Sequence, residues 1–305
     1  MKKSKLARLI AAICCFAMLL TACSSNQTSA ESGGDGSTTA DSEKKVLTYA
    51  IGAETTDLST LYMNNSLYCT SKLVYENLVD FDNGEIVPGL AESWEYNDDQ
   101  TELTFHLRQG VTFHNGEPFN AEAVKTNLEH KQSNPSFYSL KGITDIQEIE
   151  VVDEYTITLH YDHPFYAYLQ DFCWPDVNPM SAPEYIIPGD FQTISGVAGT
   201  GPYIYDEYVA GEYTRFVRNE DYWGETPYWD EIIVKYIPDS TSRLQALQTG
   251  EIDMIYGGTL LTYEEYDQAL AMDGIDGQMA EKDTRVQVIT TNATSPYLSD
   301  IRVRQ

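Results

Sequence analysis

Apolar and polar residues alternate in one short stretch of the first half of the chain. Leu103, Phe105 and Leu107 are separated by polar residues, a period of two that is typical of a strand with one buried side and one solvent-facing side. The turn-forming run Asn-Asp-Asp at residues 97–99 precedes this strand. Together they predict a hairpin that begins near Trp94.

Helical periodicity and end signals predict helices further along. Asn120 is a good N-cap for a helix with Val124 and Leu128 on one face, and Thr262 with Glu265 has the spacing of a capping box. The same criteria predict strands at residues 46–52, 155–160, 232–237 and 278–291, and helices at residues 66–78 and 240–249, the second ended by Gly250. This order predicts a mixed chain of the α/β or α+β class.

The amino terminus has the pattern of a secretory signal. Residues 1–8 are basic, residues 9–20 form an apolar run, and Thr21 and Ala22 are small. A helix of twelve residues rises only about 18 Å, which is short of the roughly 30 Å hydrocarbon core, so a membrane-spanning anchor is the weaker interpretation. We expect residues 1–22 to be a signal peptide.

The segment after this signal predicts a lipid tether. Residues 20–23, Leu-Thr-Ala-Cys, resemble the bacterial lipobox, in which the cysteine thiol is the nucleophile that is acylated. Cys23 is therefore the predicted lipidation site; the alternative is an ordinary cleaved signal followed by a chance cysteine. Residues 24–45 have no large apolar residue, so residues 23–45 are predicted to be a flexible linker.

Charge and motif content limit the classes of function. The chain has 19 basic and 47 acidic residues, for a net charge of −28, and this excess repels phosphate backbones, which argues against a nucleic-acid partner. The five cysteines have no paired zinc spacing. No HExxH, GxSxG or dinucleotide loop occurs. We therefore expect no enzyme activity, no metal site and no cofactor.

Six blocks of sequence, in order, resemble one protein family. The run LTFHLRQGVTFHNGEPFNAEAV at residues 103–124 resembles a signature of the solute-binding proteins of peptide and nickel ABC importers, the bacterial extracellular solute-binding proteins of family 5. The agreement continues with LVYENLVDF at residues 73–81, VPGLAESWE at 87–95, GTGPY at 199–203, VRNEDYWG at 217–224 and IPDSTSRLQALQTGEIDMIYG at 237–257.

The resemblance implies a fold and a division of the chain. It implies a type II periplasmic-binding-protein fold, in which two lobes close over a ligand. Residues 46–80 would begin the first lobe, residues 81–178 would be an inserted domain, and residues 179–305 would continue the first lobe. Residues 295–305 resemble the start of the family's next block, so the second lobe is expected to be largely missing. A cleft needs two walls to desolvate a ligand, so we expect residues 24–305 alone to bind weakly or not at all.

The resemblance also nominates residues for the ligand-facing wall. They lie in the loop after the first strand, in the segment after the Asn120 helix, and in the segment from Trp174 onward. Aromatic and thioether side chains there suit a pocket without strict shape demands, with packing in the core or on the surface as the alternative. The predicted ligand-binding residues are Tyr62, Met63, Asn64, Tyr68, Phe137, Tyr138, Trp174 and Asp176.

Two positions bear on the kind of ligand. The resemblance places arginines that clamp a metal chelator near Phe137 and at Asp176 in the nickel-importing members, and this chain has neither arginine. An acid at residue 176 favours a cationic group such as an amine, unless Asp176 is simply solvated on the rim. This favours oligopeptides or dipeptides as the ligand, with a nickel chelate or another small solute as the alternative.

The implied role is a lipid-anchored, extracytoplasmic receptor that hands a small solute to an ABC permease powered by a cytoplasmic ATPase. The membrane would be contacted only through the lipid on Cys23. The alternative is a signalling or adhesion lipoprotein that keeps the fold as an interaction surface.

Two further pairs of residues carry structural expectations. Tyr222 and Trp223 each combine a large apolar area with one polar tip, which suits closing a domain edge rather than contacting a ligand. Cys69 and Cys173 are the thiols left after cleavage and acylation. They could form a disulfide outside the cytosol, although two buried, unpaired cysteines is the favoured state.

Overall fold

A five-stranded mixed sheet joins the start of the folded chain to its later part. The computed structural model describes residues 44–55, 58, 60, 70–82, 84–174, 178–257 and 260–278. The sheet has the order β11-β1-β10-β9-β8, in which β1 is parallel to β10 and β11, and the β10-β9 and β9-β8 pairs are antiparallel. Its strands are β1 (Val46–Ile51), β8 (Tyr203–Val209), β9 (Tyr213–Arg218), β10 (Glu231–Tyr236) and β11 (Met254–Ile255).

A separate four-stranded antiparallel sheet is built entirely from residues that lie between β1 and β8 in the chain. Its order is β4-β5-β7-β6, formed by β4 (Ala91–Tyr96), β5 (Glu102–Leu107), β6 (Ile146–Asp153) and β7 (Thr156–Tyr161). The predicted hairpin is confirmed: β4 pairs with β5, and Leu103, Phe105 and Leu107 are buried. A shorter hairpin, β2 (Val79–Asp82) with β3 (Glu85–Pro88), precedes this sheet.

Helix α2 (Ala121–Ser133) covers the four-stranded sheet. The predicted cap is confirmed, since Asn120 Oδ1 accepts from the backbone N–H of Ala123 at 3.0 Å. Val124 and Leu128 are fully buried in one core with Phe105 and Phe172. Burial of this apolar face, more than helix propensity, stabilises the helix.

Three shorter α-helices follow α2 along the described chain. Helix α3 (Lys141–Thr144) follows α2, and α4 (Ser240–Thr249) ends at Gly250, whose φ of 72° is the left-handed conformation that a C-terminal glycine adopts. Helix α5 (Tyr263–Leu270) begins with the predicted capping box, in which Thr262 and Glu265 exchange hydrogen bonds. The helices of these described ranges are too short or too polar to cross a bilayer.

The helix predicted at residues 66–78 is shorter than expected. Among the described residues, α1 covers only Ser71–Val74, and Tyr75 is extended. The Val74 carbonyl accepts a hydrogen bond from the backbone N–H of Gly201 at 2.9 Å, so it is already used by another segment where a continuing helix would need it. Residues 66–69, residues 23–43 of the predicted linker and residues 279–305 lie outside the described part of the chain.

Mixed α/β architecture, the class predicted from the sequence, follows from this order of strands and helices. The chain passes from the four-stranded sheet back to the five-stranded sheet through residues 178–182, which we call the strap. The strap and α2 position the candidate site.

Candidate functional site

The carboxylate of Glu76, two residues after α1, is held by three side chains from later in the chain. Tyr222 donates from its hydroxyl to Glu76 Oε1 at 2.8 Å, while Trp223 Nε1 and Thr200 Oγ1 donate to Oε2 at 2.7 and 2.8 Å. Burial raises the pKa of Glu76, and the three donors oppose that rise. Both oxygens are occupied, so this carboxylate works as a structural anchor and not as a free acid.

A small polar cleft lies beside this anchor. It has a volume of about 220 Å³, and an ion pair between Lys72 and Asp80, 2.7 Å apart, stands on its wall. Asn77 also lines it, and neither polar atom of the Asn77 amide has a hydrogen-bond partner among the described residues. The full lining is Lys72, Tyr75, Glu76, Asn77, Asp80, Pro202 and Tyr222.

The strap is fixed by two side chains of α2 that are one helical turn apart. Asn127 donates to Ser181 O at 2.8 Å and accepts from Ser181 N at 2.9 Å. Lys131 donates from Nζ to Asn178 Oδ1 at 3.1 Å and to Pro179 O at 2.7 Å. All of these bonds are buried, which makes each one costly to leave unmade.

The strap is also bonded to the Glu76 segment. Met180 N donates to the main-chain oxygen of Glu76 at 2.9 Å, and Ala182 N donates to Ala198 O at 2.9 Å. One continuous hydrogen-bonded junction therefore joins the Glu76 segment, α2 and the strap.

Lys131 is the unusual member of this junction. Its residue is only 1% exposed, and burial lowers the pKa of its ammonium from 10.5 to about 7. The sequence analysis did not single out Lys131, although the helical spacing around it marks a buried position. Val124, Leu128 and Lys131 follow a spacing of four and three residues, which places the lysine on the apolar face of α2.

Two of the predicted ligand residues have exposed side chains. Tyr138 is 74% exposed and Trp174 is 52% exposed. Their segments are linked because α3, which begins three residues after Tyr138, packs on the 3-10 helix Leu169–Cys173 that ends just before Trp174. In that contact Gly142 N donates to Asp171 Oδ2 at 2.7 Å. No direct ring contact joins Tyr138 to Trp174 within the part of the chain that the structure describes.

Phe137, by contrast, is placed in the core. It is 0% exposed and belongs to the hydrophobic core that includes residues of the four-stranded sheet and α2. It ends the 3-10 helix Pro135–Phe137, whose first turn is capped by Asn134 through Ser136 N, and this turn directs its ring inward and leaves Tyr138 outside. Phe137 has no exposed surface in this structure, so of the two predicted residues of this segment only Tyr138 is accessible to a solute.

The remaining predicted residues lie outside the described part of the chain. Five are ligand-binding candidates, Tyr62, Met63, Asn64, Tyr68 and Asp176, and the sixth is the predicted lipidation site Cys23. Their assignments stay predictions.

Cys173 is a buried, free thiol. Burial raises its pKa to about 12, which leaves almost no thiolate at neutral pH and makes the sulfur unreactive. Its partner in the alternative disulfide, Cys69, lies outside the described residues. The described Cys173 thus has the unpaired state that the sequence favoured.

Three histidines in the described ranges, His106, His160 and His163, lie beside acids. His160 lies 2.9 Å from Glu150 and 3.5 Å from Glu102 on neighbouring strands of its sheet. Among the described residues no group of three or more His, Cys, Asp or Glu side chains is arranged to hold a metal ion.

Comparisons with known proteins agree with one another. The model of the family described as bacterial extracellular solute-binding proteins, family 5, middle part, matches residues 85–305. A curated relative, the nickel-binding periplasmic protein of Escherichia coli K12, is 32% identical over 254 residues, which is 80% of this chain and 47% of that protein.

Two solved structures extend the comparison to the fold. NikA from Brucella suis in complex with Fe(III)-EDTA has a TM-score of 0.68 at 33% identity, covering 74% of this chain and 46% of that one. The periplasmic binding protein DppA from Helicobacter pylori in complex with the peptide STSA has a TM-score of 0.64 at 28% identity, covering 75% and 49%. This chain spans about half the length of the relatives that it matches.

Proposed function

This chain belongs to the bacterial extracellular solute-binding proteins of family 5, and from that membership we propose that it is the lipid-anchored substrate-binding component of an ABC importer. It captures oligopeptides or dipeptides outside the cytoplasm and delivers them to a membrane permease that is driven by an ATPase subunit. The family match over residues 85–305 is the observation that carries this proposal.

Exposed aromatic side chains support capture of a small solute. Tyr138 and Trp174 lie on loops that rest on the rigid contact between α3 and the 3-10 helix Leu169–Cys173. Aromatic rings give large contact areas at low cost in conformational entropy. The hydrogen bond from Asn178 N to Trp174 O helps to hold the main chain of Trp174, which limits the ordering that a ligand would have to impose.

Residue chemistry favours a peptide as the solute. The sequence has an acid, Asp176, where the family resemblance implies a chelate-clamping arginine in nickel importers, and no arginine stands near Phe137. A carboxylate in a ligand cleft favours an ammonium group, which a peptide supplies. The peptide complex of the Helicobacter pylori relative supports the same choice.

A metal chelate is the second candidate. It is favoured by the similarity to the nickel-binding protein of Escherichia coli and to the Brucella suis protein in complex with Fe(III)-EDTA. The two candidates differ in the charge that they require of the site, because a chelate carries carboxylates and a peptide carries an amine.

Mass spectrometry of the solute released from the protein purified from its host tests the ligand. Peptides among the released molecules support the proposal, and a nickel chelate as the main species contradicts it. Trp174→Ala and Tyr138→Ala are expected to weaken trialanine binding in calorimetry. Tyr263→Ala, at an equally exposed tyrosine (79%) on α5, is the matched control and should leave binding unchanged.

Labelling with an alkyne fatty acid tests the proposed anchor. Residues 20–23 place Cys23 at the acylated position of a lipobox, while Cys15 lies inside the apolar run. Cys23→Ser should abolish the label and release the protein from the membrane fraction. Cys15→Ser should keep both, and a label that survives in Cys23→Ser rules the anchor out.

A further inference from the structure

A lysine occupies an apolar position of α2, directly under the strap. Lys131 follows Val124 and Leu128 on the buried face, and its side chain runs between the helix and residues 178–179. Within the described part of the chain it forms no ion pair with a carboxylate, and both of its hydrogen bonds go to uncharged oxygens. A methionine of similar length would fill this position without the cost of burying a charge.

The two hydrogen bonds of Lys131 go to Asn178 and Pro179, the first described residues after Trp174. Asn178 N donates to Trp174 O at 2.9 Å, so one main-chain hydrogen bond joins these two residues. The side chain of the same asparagine is the Lys131 acceptor, at 3.1 Å. A change in the Lys131–Asn178 bond therefore passes through one residue to the carbonyl group of Trp174.

Other contacts of the strap are made by Met180 and Ser181, after Asn178 and Pro179. Asn127 bonds both main-chain groups of Ser181, and Met180 N bonds the main chain of Glu76. Asn178 has one further contact, a long bond of 3.5 Å from Nδ2 to Asp171 O. The end of the strap nearest to Trp174 depends mainly on Lys131.

We propose that Lys131 is a positioning residue for solute binding: it holds Asn178 and Pro179 and, through the hydrogen bond from Asn178 N to Trp174 O, the position from which Trp174 meets the ligand. This inference rests on the proposed function for its ligand but not for its geometry. The uncharged acceptors keep the ammonium directed at the strap, because no carboxylate of the described residues competes for it. Directional hydrogen bonds specify one loop position, whereas apolar packing alone allows several.

Fluorine NMR of the whole chain tests the geometry without any ligand. The chain has four tryptophans, so labelling with 5-fluorotryptophan gives few resonances, and Trp174→Phe identifies the one from Trp174. In Lys131→Met we expect this resonance to shift or broaden while the other three stay in place. Lys125→Met, on the exposed side of the same helix, is the matched control and should shift none.

Variants of the acceptor keep the test decisive if Lys131→Met does not fold. Asn178→Asp retains an oxygen for Lys131 and should preserve the Trp174 resonance, whereas Asn178→Leu removes the acceptor and should move it as Lys131→Met does. A Trp174 resonance that is the same in Lys131→Met, Asn178→Leu and the wild type overturns the proposal.

Trialanine binding to the protein purified from its host separates this inference from the proposed function. If wild type binds, Lys131→Met should weaken binding by about tenfold, a loss typical of outer hydrogen-bonding partners in metal sites, and Lys125→Met should not. Unchanged affinity in Lys131→Met contradicts the positioning role in binding. Failure of the wild type to bind trialanine counts against the peptide function alone, because the Trp174 resonance still decides the role of Lys131.

Discussion

Trp223 Nε1 donates a 2.7 Å hydrogen bond to Oε2 of Glu76, a residue 147 positions earlier in the chain. Tyr222 holds the other oxygen of the same carboxylate, and the guanidinium of Arg108 lies over the Trp223 ring, 4.3 Å from its centre. Both aromatic residues thus close the edge between early and late segments, as their apolar bodies and polar tips predict. One carboxylate collects hydrogen bonds from two later segments, at Thr200 and at residues 222–223, which meet it only in the folded state.

Removal of this carboxylate should therefore be costly. Glu76→Ala leaves Trp223, Tyr222 and Thr200 without their shared acceptor, and we expect the free energy of unfolding to fall by about 3 kcal/mol. Urea denaturation followed by circular dichroism measures this loss. Glu92→Ala, at an exposed carboxylate that makes only a 3.4 Å contact with Arg108, should cost less than about 1 kcal/mol. Equal losses in the two variants would show that Glu76 is not an anchor.

Close backbone packing predicts a second sensitive position, Gly199. A Cβ at this residue would lie 2.0 Å from Val74 O and 2.6 Å from a ring carbon of Tyr75, so the main chain of one segment would have to move. Gly199→Ala should lower the free energy of unfolding by about 3 kcal/mol. The control is Gly110→Ala, where φ is +75° but nothing lies within 4 Å of the added carbon; strain alone should cost about 1 kcal/mol. The prediction fails if Gly199→Ala is the milder change in thermal unfolding.

Local signals in the sequence were enough to predict many individual elements. Alternation identified β5, the cap at Asn120 located the start of α2, and the capping box at Thr262 located α5. Each of these signals acts within a few residues, so no tertiary contact is needed to interpret it. The family resemblance added the fold, which the comparisons confirm.

Contacts between distant segments decided what the sequence could not show. The helix predicted at residues 66–78 stops at Val74 because Gly201 takes its carbonyl, and Phe137 is buried because a capped 3-10 turn directs it inward. The role of Lys131 depends on acceptors 47 and 48 positions away. Its place in the apolar face of α2 was visible, but the identity of its partners was not.

The capping box of α5 gives a local prediction. Thr262 accepts from Glu265 N at 3.2 Å, and Glu265 accepts in turn from Thr262 N at 2.9 Å; the bond from Thr262 is the main cause that lowers the pKa of Glu265 to about 2. Thr262→Ala should destabilise the first turn by about 1 kcal/mol and speed amide exchange of α5 in hydrogen-exchange mass spectrometry. Thr249→Ala, at the exposed end of α4, should leave α5 exchange unchanged. Unaltered exchange of α5 in Thr262→Ala would contradict the prediction.

Burial of Lys131 predicts how stability depends on pH. Its pKa is about 7 in the folded state and ordinarily 10.5. Below pH 7 the lysine is protonated in both states, so the full cost of its buried charge is present. Between pH 7 and 10.5 only the unfolded state holds the proton, so this lysine makes the free energy of unfolding rise with pH, by at most about 1.4 kcal/mol per unit.

Urea denaturation of wild type and Lys131→Met at pH 6, 7, 8, 9 and 10 isolates this lysine. The difference in free energy of unfolding should move in favour of the wild type from pH 7 to 10. His130, the neighbour on α2, changes protonation below this range, because burial and then the charge of Lys131 lower its pKa from 6.5, so the slope above pH 7 belongs to Lys131. Lys125→Met, which removes an exposed charge from the same helix, should give a flat difference. A flat difference for Lys131→Met as well would mean that the buried ammonium keeps its ordinary pKa, and that the strap is held by a lysine that stays charged throughout this range.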